Sequence, residues 1–165
     1  MQSIIPMLMV TDLCLKEDYF DSYIIEEPEL NLFPADQPEL FYVLINKVMV
    51  AHKKQLAITT HSPHLLAALN NLILAQQLRE MNDPELTQAV NDIIPAHLEI
   101  DTRQVSIYSL GDKFKEEEYC VNLIDTDTGL IPSEYQEAVL EDVSEKFKEL
   151  WSLYNENISS EIGQE

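Results

Sequence analysis

Ser22-Tyr23-Ile24-Ile25-Glu26-Glu27-Pro28-Glu29-Leu30-Asn31-Leu32-Phe33-Pro34 is the stretch on which the fold turns. Tyr23-Ile24-Ile25 has the aromatic and β-branched content of a buried strand, Glu26 and Glu27 stand at its exit, and Pro28 ends it. A second short strand over Gln55 to Thr60 leads into Thr59-Thr60-His61-Ser62-Pro63, whose histidine lies 34 residues after Glu27. Between the two, Asp36 as cap and Pro38 in the first turn open a helix that Leu40, Val43, Leu44, Val48 and Ala51 carry to about His52. Ser62 and Pro63 are cap and first position of a further helix bearing Leu65, Leu66, Leu69, Leu72 and Ile73. Strand, helix, strand, helix with short connections predicts an α/β fold in which parallel strands are flanked by helices. Ligands of such sheets bind beyond the carboxyl ends of the strands, where Glu26, Glu27 and His61 fall.

Upstream, Ser3 to Lys16 is an apolar, helix-compatible run. Downstream of Arg79, Asp83 and Pro84 open a short helix reaching about Ile94, before Pro95. Val105, Ile107 and Tyr108 read as one strand, Tyr119 to Ile124 as another, and the charged Gly111 to Glu118 segment as their hairpin connection. Asp125 to Pro132 is a turn-rich loop, and Ser133-Glu134-Tyr135-Gln136 is a capping box ahead of a final amphipathic helix. The expected organisation is one lobe over 1–165: a core at 1–79, a closing region at 80–132, a C-terminal helix at 133–156 and a tail at 157–165.

Composition narrows the classes of function. The 165 residues are 45% hydrophobic, enough for one domain with a real core. No run approaches the roughly 18 consecutive apolar residues of a membrane span, and no basic signal region opens the chain, so a soluble cytoplasmic protein without a membrane partner is expected. Cys14 and Cys120 lack disulfide-framework or zinc spacing and read as reduced thiols. Ten basic against thirty acidic residues leave a charge of −20, a field that repels nucleic-acid phosphate. Fifteen of the acidic residues and only four basic ones follow position 111, consistent with a solvated helix face and tail. Only three glycines occur, and neither GxxxxGKS/T nor GxGxxG is present, so the chain carries no phosphate loop.

Adjacent carboxylates at a strand exit have a plain structural explanation, and so does a histidine before a helix cap. Their joint occurrence favours chemistry. Strand side chains alternate, so Glu26 and Glu27 cannot share one role. One can hold Mg²⁺, directly or through water, while the other orients the water attacking a γ-phosphate. His61, at a parallel strand exit, is placed to reach the same phosphate. His52, His64 and His97 lack such a setting.

The segment Ile24 to Pro34 resembles the Walker B and D-loop segment of the ABC-like ATPases of the RecF, SMC and OLD group: an apolar strand, D/E-E-P-E, then x-x-L-H-P. Thr59-Thr60-His61-Ser62-Pro63 is similar to that group's switch-histidine motif. The resemblance implies a partial P-loop NTPase-like fold with a C-terminal β-hairpin and helix, ATP and Mg²⁺ as ligands, and ATP hydrolysis across a dimer interface. It assigns the metal to Glu26, the attacking water to Glu27, the γ-phosphate contact to His61, and the loop crossing to a second ATPase subunit to Glu29 and Asn31. Met1-Gln2-Ser3-Ile4-Ile5-Pro6 resembles the end of the family's S-G-x-Q signature, which makes Gln2 and Ser3 its remnant, Met1 the x position, and the S-G pair lost. Glu26 stands where Asp is commoner, and Phe33 replaces the usual His. Val105 to Tyr108 and Asp127 to Ile131 look like the closing strands and loop of bacterial AAA-type heads.

The leading expectation is therefore the C-terminal lobe of an ABC-type ATPase head, inactive until an N-terminal lobe or second subunit supplies the phosphate loop, with nucleic acid engaged only through the complete, homodimeric assembly. The alternative is a non-catalytic interaction module, a truncated or degenerate lobe that docks a partner through its exposed sheet edge. A metal-dependent nuclease is the weaker expectation, because a charge of −20 disfavours unaided DNA binding.

Overall fold

The computed structural model describes residues 4–110 and 119–132. Gln2 and Ser3, the 111–118 connection, the C-terminal helix expected at 133–156 and the tail at 157–165 lie outside the described residues.

Helix α1 spans Ile4–Lys16, with Pro6 tolerated in its first turn. It ends where Asp18 takes a left-handed conformation, φ 53°. Lys54 then ties the connection down, its Nζ lying 2.6 Å from Asp18 and 2.9 Å from Asp21. The hydrogen bond from Lys54 holds the Asp18 carboxyl below its usual range, and the two aspartates push the lysine upward. A second ion pair, Lys47 to Asp12, joins α1 to the helix that follows β1.

Strand β1, Ser22–Glu26, pairs in parallel with β2, Gln55–Thr59, in the register Ser22↔Gln55 to Glu26↔Thr59. The fold is thus mixed α/β, with helices around a small parallel sheet. Alternation sorts the side chains cleanly. Tyr23, Ile25, Leu56 and Ile58 face the helices and are buried or half-buried, whereas Ser22, Ile24, Glu26, Gln55, Ala57 and Thr59 form an exposed outer face. Ile24 on that face is 76% exposed.

The helix expected from Asp36 to His52 occupies nearly that range but is not one regular α-helix. A 3₁₀ turn at Pro34–Asp36 leads into α2, Gln37–Leu44, and the chain continues as a π-helical stretch at Ile45–Ala51. Asp36 flanks α2 but makes no side-chain cap hydrogen bond among the described residues. The preceding 3₁₀ turn has already folded the chain there, with the Asp36 N–H donating to the Phe33 carbonyl. In the π stretch Val48 is fully buried and its neighbours Met49 and Val50 are half-buried, so three consecutive apolar residues all find cover.

Helix α3, Pro63–Arg79, begins as its sequence dictates: the Ser62 hydroxyl accepts from the His64 N–H at 3.1 Å and Pro63 occupies the first turn. Helix α4, Pro84–Ile93, is capped by Asp83, which accepts from the Glu85 and Leu86 N–H groups. One core joins Phe41 and Ile45 to Leu65, Leu72 and Ile73 of α3 and Val90 of α4. A second places Ile25 against Leu40 and Leu44, with Met7 and Leu8 of α1 packed on it. Leu56 and Ile58 of β2 pack on both.

The first strand of the hairpin starts later than expected. Asp101 accepts from the Arg103 N–H and pairs with its guanidinium, which curls Thr102–Gln104 into a 3₁₀ turn; Val105 leaves that turn extended but lies outside the paired strand. Strand β3 is therefore Tyr108–Leu110, antiparallel to β4, Cys120–Asn122. The chain then turns on Asp125, whose carboxyl is held below its usual range chiefly by the Thr128 backbone N–H and then by the Thr128 hydroxyl. Gly129 completes the turn at φ 70°, a left-handed conformation that favours glycine. The Asn70 side chain both donates to the Ile131 carbonyl and accepts from the Ile131 N–H, each at 2.8 Å. That pair of bonds fastens the closing region to α3. Among the described residues, no helix is long and apolar enough to cross a membrane.

Candidate functional site

Parallel pairing puts the exits of β1 and β2 side by side. The ladder runs one step past Glu26, with the Glu27 N–H donating to the Thr59 carbonyl at 2.8 Å. At that point the chain leaves the sheet sharply. Glu27 has φ 43° and Asn31 φ 67°, both left-handed, with the Leu30 N–H closing a turn onto the Glu27 carbonyl. Asparagine tolerates this region, but for glutamate it is a strained conformation of the kind that clusters at functional sites.

The turn delivers the Glu27 carboxylate to the loop after β2. Glu27 Oε1 lies 3.3 Å from His61 Nε2. The Glu27 side chain is 42% exposed and that of His61 91% exposed, so the pair stands at the surface, open to a ligand. Glu26, the last residue of β1, lies on the exposed outer face opposite Thr59, so neighbouring carboxylates point to different sides. Asn31 is exposed at the turn. Gln2 and Ser3 are not among the described residues.

Glu29 is placed differently from its neighbours: it is buried, and its Oε1 accepts from the Thr60 hydroxyl at 2.5 Å and from the His61 N–H at 3.3 Å. The Thr60 hydroxyl in turn accepts from the Ser62 N–H at 2.9 Å. Ser62 donates to Gln37 Oε1, and Gln37 Nε2 reaches back to the Leu32 carbonyl at 3.3 Å. Both loops at the sheet's carboxyl edge are thus sewn into one network. Sequence reasoning found Ser62 by its capping position but had no signal for Gln37, and it read Glu29 only through a resemblance.

Two open hollows flank the pair. One, of about 560 Å³, lies between α1 and β1 and is lined by Val10, Cys14, Tyr23, Ile24 and Glu26 among others. The other, of about 330 Å³, is bordered by Glu29, Asn31, Gln37, His61 and His64. Glu27 borders both. No group of three or more described His, Cys, Asp or Glu side chains is arranged to hold a metal ion.

Comparison with protein-family models, with curated proteins and with solved structures found no match for this chain.

Proposed function

We propose that this chain is the C-terminal lobe of an ABC-type ATPase head of P-loop NTPase-like fold, contributing half of a composite ATP site. The observation that carries the reading is the contact between Glu27 and His61 at 3.3 Å, made at the carboxyl ends of two neighbouring parallel strands. A hydrolytic site needs a base and a γ-phosphate contact in that relation, beyond the strand ends. The exposed outer face of the sheet adds support. Parallel sheets are covered on both faces, yet no described residue covers Ile24, Ala57 and their neighbours.

In this reading Glu27 orients a water for in-line attack and receives its proton as the new P–O bond forms and the bond to the leaving ADP oxygen breaks. His61 donates to a γ-phosphate oxygen. Glu26 supplies the protein carboxylate for Mg²⁺, which neutralises phosphate charge when bound. The phosphate loop must come from another polypeptide segment, because no GxxxxGKS/T motif is present to cradle the triphosphate. Glu29 is occupied within the chain, which leaves Asn31, exposed at the turn, as the one of these two residues to meet a second subunit.

The test is ATP hydrolysis by the chain alone and after mixing with the phosphate-loop lobe of an ABC-type head. Negligible turnover alone, rescue on mixing, and loss of the rescued rate in Glu27→Gln are expected. Robust turnover by the chain alone that Glu27→Gln abolishes would overturn the composite site. A second reading, a non-catalytic docking module, draws on the exposed apolar residues of α1 and β1, Ile5, Met9, Val10, Leu13 and Ile24. Binding to the other lobe without hydrolysis would select it.

A further inference from the structure

His61 poses a positioning problem. Its imidazole is 91% exposed, so packing does not hold it, and its side-chain contact is with Glu27, itself 42% exposed. A side chain so placed is aimed by its backbone. The His61 N–H donates to Oε1 of Glu29 at 3.3 Å, and that oxygen also takes the hydroxyl of the preceding residue, Thr60.

We propose that Glu29 is the positioning residue of this site: its buried carboxylate locks the turn after β1 to the loop after β2, and so seats His61 against Glu27. Glu29 lies two residues beyond Glu27 on a turn whose left-handed residues at both ends leave it little freedom. Both partners of the acid–base pair are therefore referenced to one group. Two donors on one carboxylate oxygen form a charge-assisted clamp, stronger and more directional than a neutral acceptor provides. The other oxygen, Oε2, is buried and has no hydrogen-bond partner among the described residues. Leaving it so costs stability, and a turn needing only burial would be better served by an apolar residue. The cost is explained if an acceptor is required at this one point.

The inference rests on the reading of Glu27 and His61 as a working pair, but its test needs no nucleotide. In the full chain with isotope-labelled histidine, Glu27→Gln shifts the His61 imidazole resonance, because the two side chains touch. If Glu29 seats His61, that response is lost in the Glu29→Ala background and in Thr60→Val, and retained in Thr60→Ser, which keeps the hydroxyl. The His52 and His97 resonances stay in place throughout, reporting an intact fold; a merely structural role would move them as well. Should Glu29→Ala fail to fold, the Thr60→Val and Thr60→Ser pair decides. An undiminished response to Glu27→Gln in these backgrounds, or no response in the parent chain, overturns the proposal. Failure of ATP hydrolysis on mixing would leave this result standing and sink only the functional reading.

Discussion

At position 27, glycine should be more stabilising than alanine, the reverse of what an ordinary strand position gives. Glu27 holds φ 43° at the end of β1 while its N–H remains in the ladder with Thr59. A residue with a Cβ pays roughly 1–2 kcal/mol for that conformation. Alanine keeps the penalty and loses the contact with His61, an exposed pair for which a few tenths of a kcal/mol is the ordinary scale. Glycine loses the same contact but removes the penalty, against about 0.4–1 kcal/mol for the greater freedom of its unfolded chain. The difference between Glu27→Gly and Glu27→Ala is thus about 0.5–1 kcal/mol in favour of glycine, with Glu27→Gly close to the parent. Equilibrium urea unfolding of the three proteins measures this as a change in midpoint at constant slope. If Glu27→Ala proves as stable as Glu27→Gly or more so, the residue is not strained, and its conformation says nothing about function. If glycine wins over alanine, position 27 is strained in the parent, and glutamate is held there against that strain, as expected of a side chain kept for its chemistry.

Three further outcomes follow from the same geometry. Ile24→Lys should change the stability of the chain alone by less than about 0.5 kcal/mol, because the side chain is 76% exposed. It should weaken association with a phosphate-loop lobe by at least about tenfold if that face is covered there, as titration calorimetry would show. Asn70→Ala strips two hydrogen bonds from the backbone of buried Ile131 and should destabilise by about 2–4 kcal/mol, read from the urea midpoint; a loss under about 0.5 kcal/mol would mean that water replaces the side chain. Asp18, Asp101 and Asp125 are each held below their ordinary value of 3.8, so the unfolded chain takes up protons first. Their contribution is fully present above that value and is lost as pH falls through their folded values, so the melting temperature should drop on acidification from pH about 5 to about 3. Asp125→Asn should flatten that drop, and an unchanged acid slope would refute the assignment.

The frame of the fold was legible where local chemistry and burial agree. Tyr23-Ile24-Ile25 and Leu56-Ala57-Ile58 are short apolar runs closed by polar residues, and Ser62-Pro63 and Asp83-Pro84 start helices by the same cap-and-proline logic the structure uses. The passage from α to π winding at Ile45 was not legible, since a change of hydrogen-bond partner leaves no mark on composition. Nor was the late start of β3: Val105 and Ile107 have strand character, but the hydrogen bonds of Asp101 bend the chain before it. At the site, the relation of Glu27 to His61 followed from strand order alone. The inward course of Glu29 did not, because an acidic residue in a turn is ordinarily exposed, and only the tertiary approach of Thr60 and His61 gives it partners.

The parallel pairing has a consequence in time. Ser22 and Gln55, its first partners, lie 33 residues apart, so the sheet cannot form by a local hairpin. Loop closure over that distance must be compensated first, and the residues able to do so are those of α2 and α3, through Phe41, Ile45, Leu65 and Leu72. Helix docking is then the early event and strand registration the late one, so substitutions at Ile45 and Leu72 should slow folding more than those at Ile25. Glu27 and His61 meet only when registration is complete. On that order, partly folded forms of this chain lack the contact between Glu27 and His61, and its appearance reports a late step of folding.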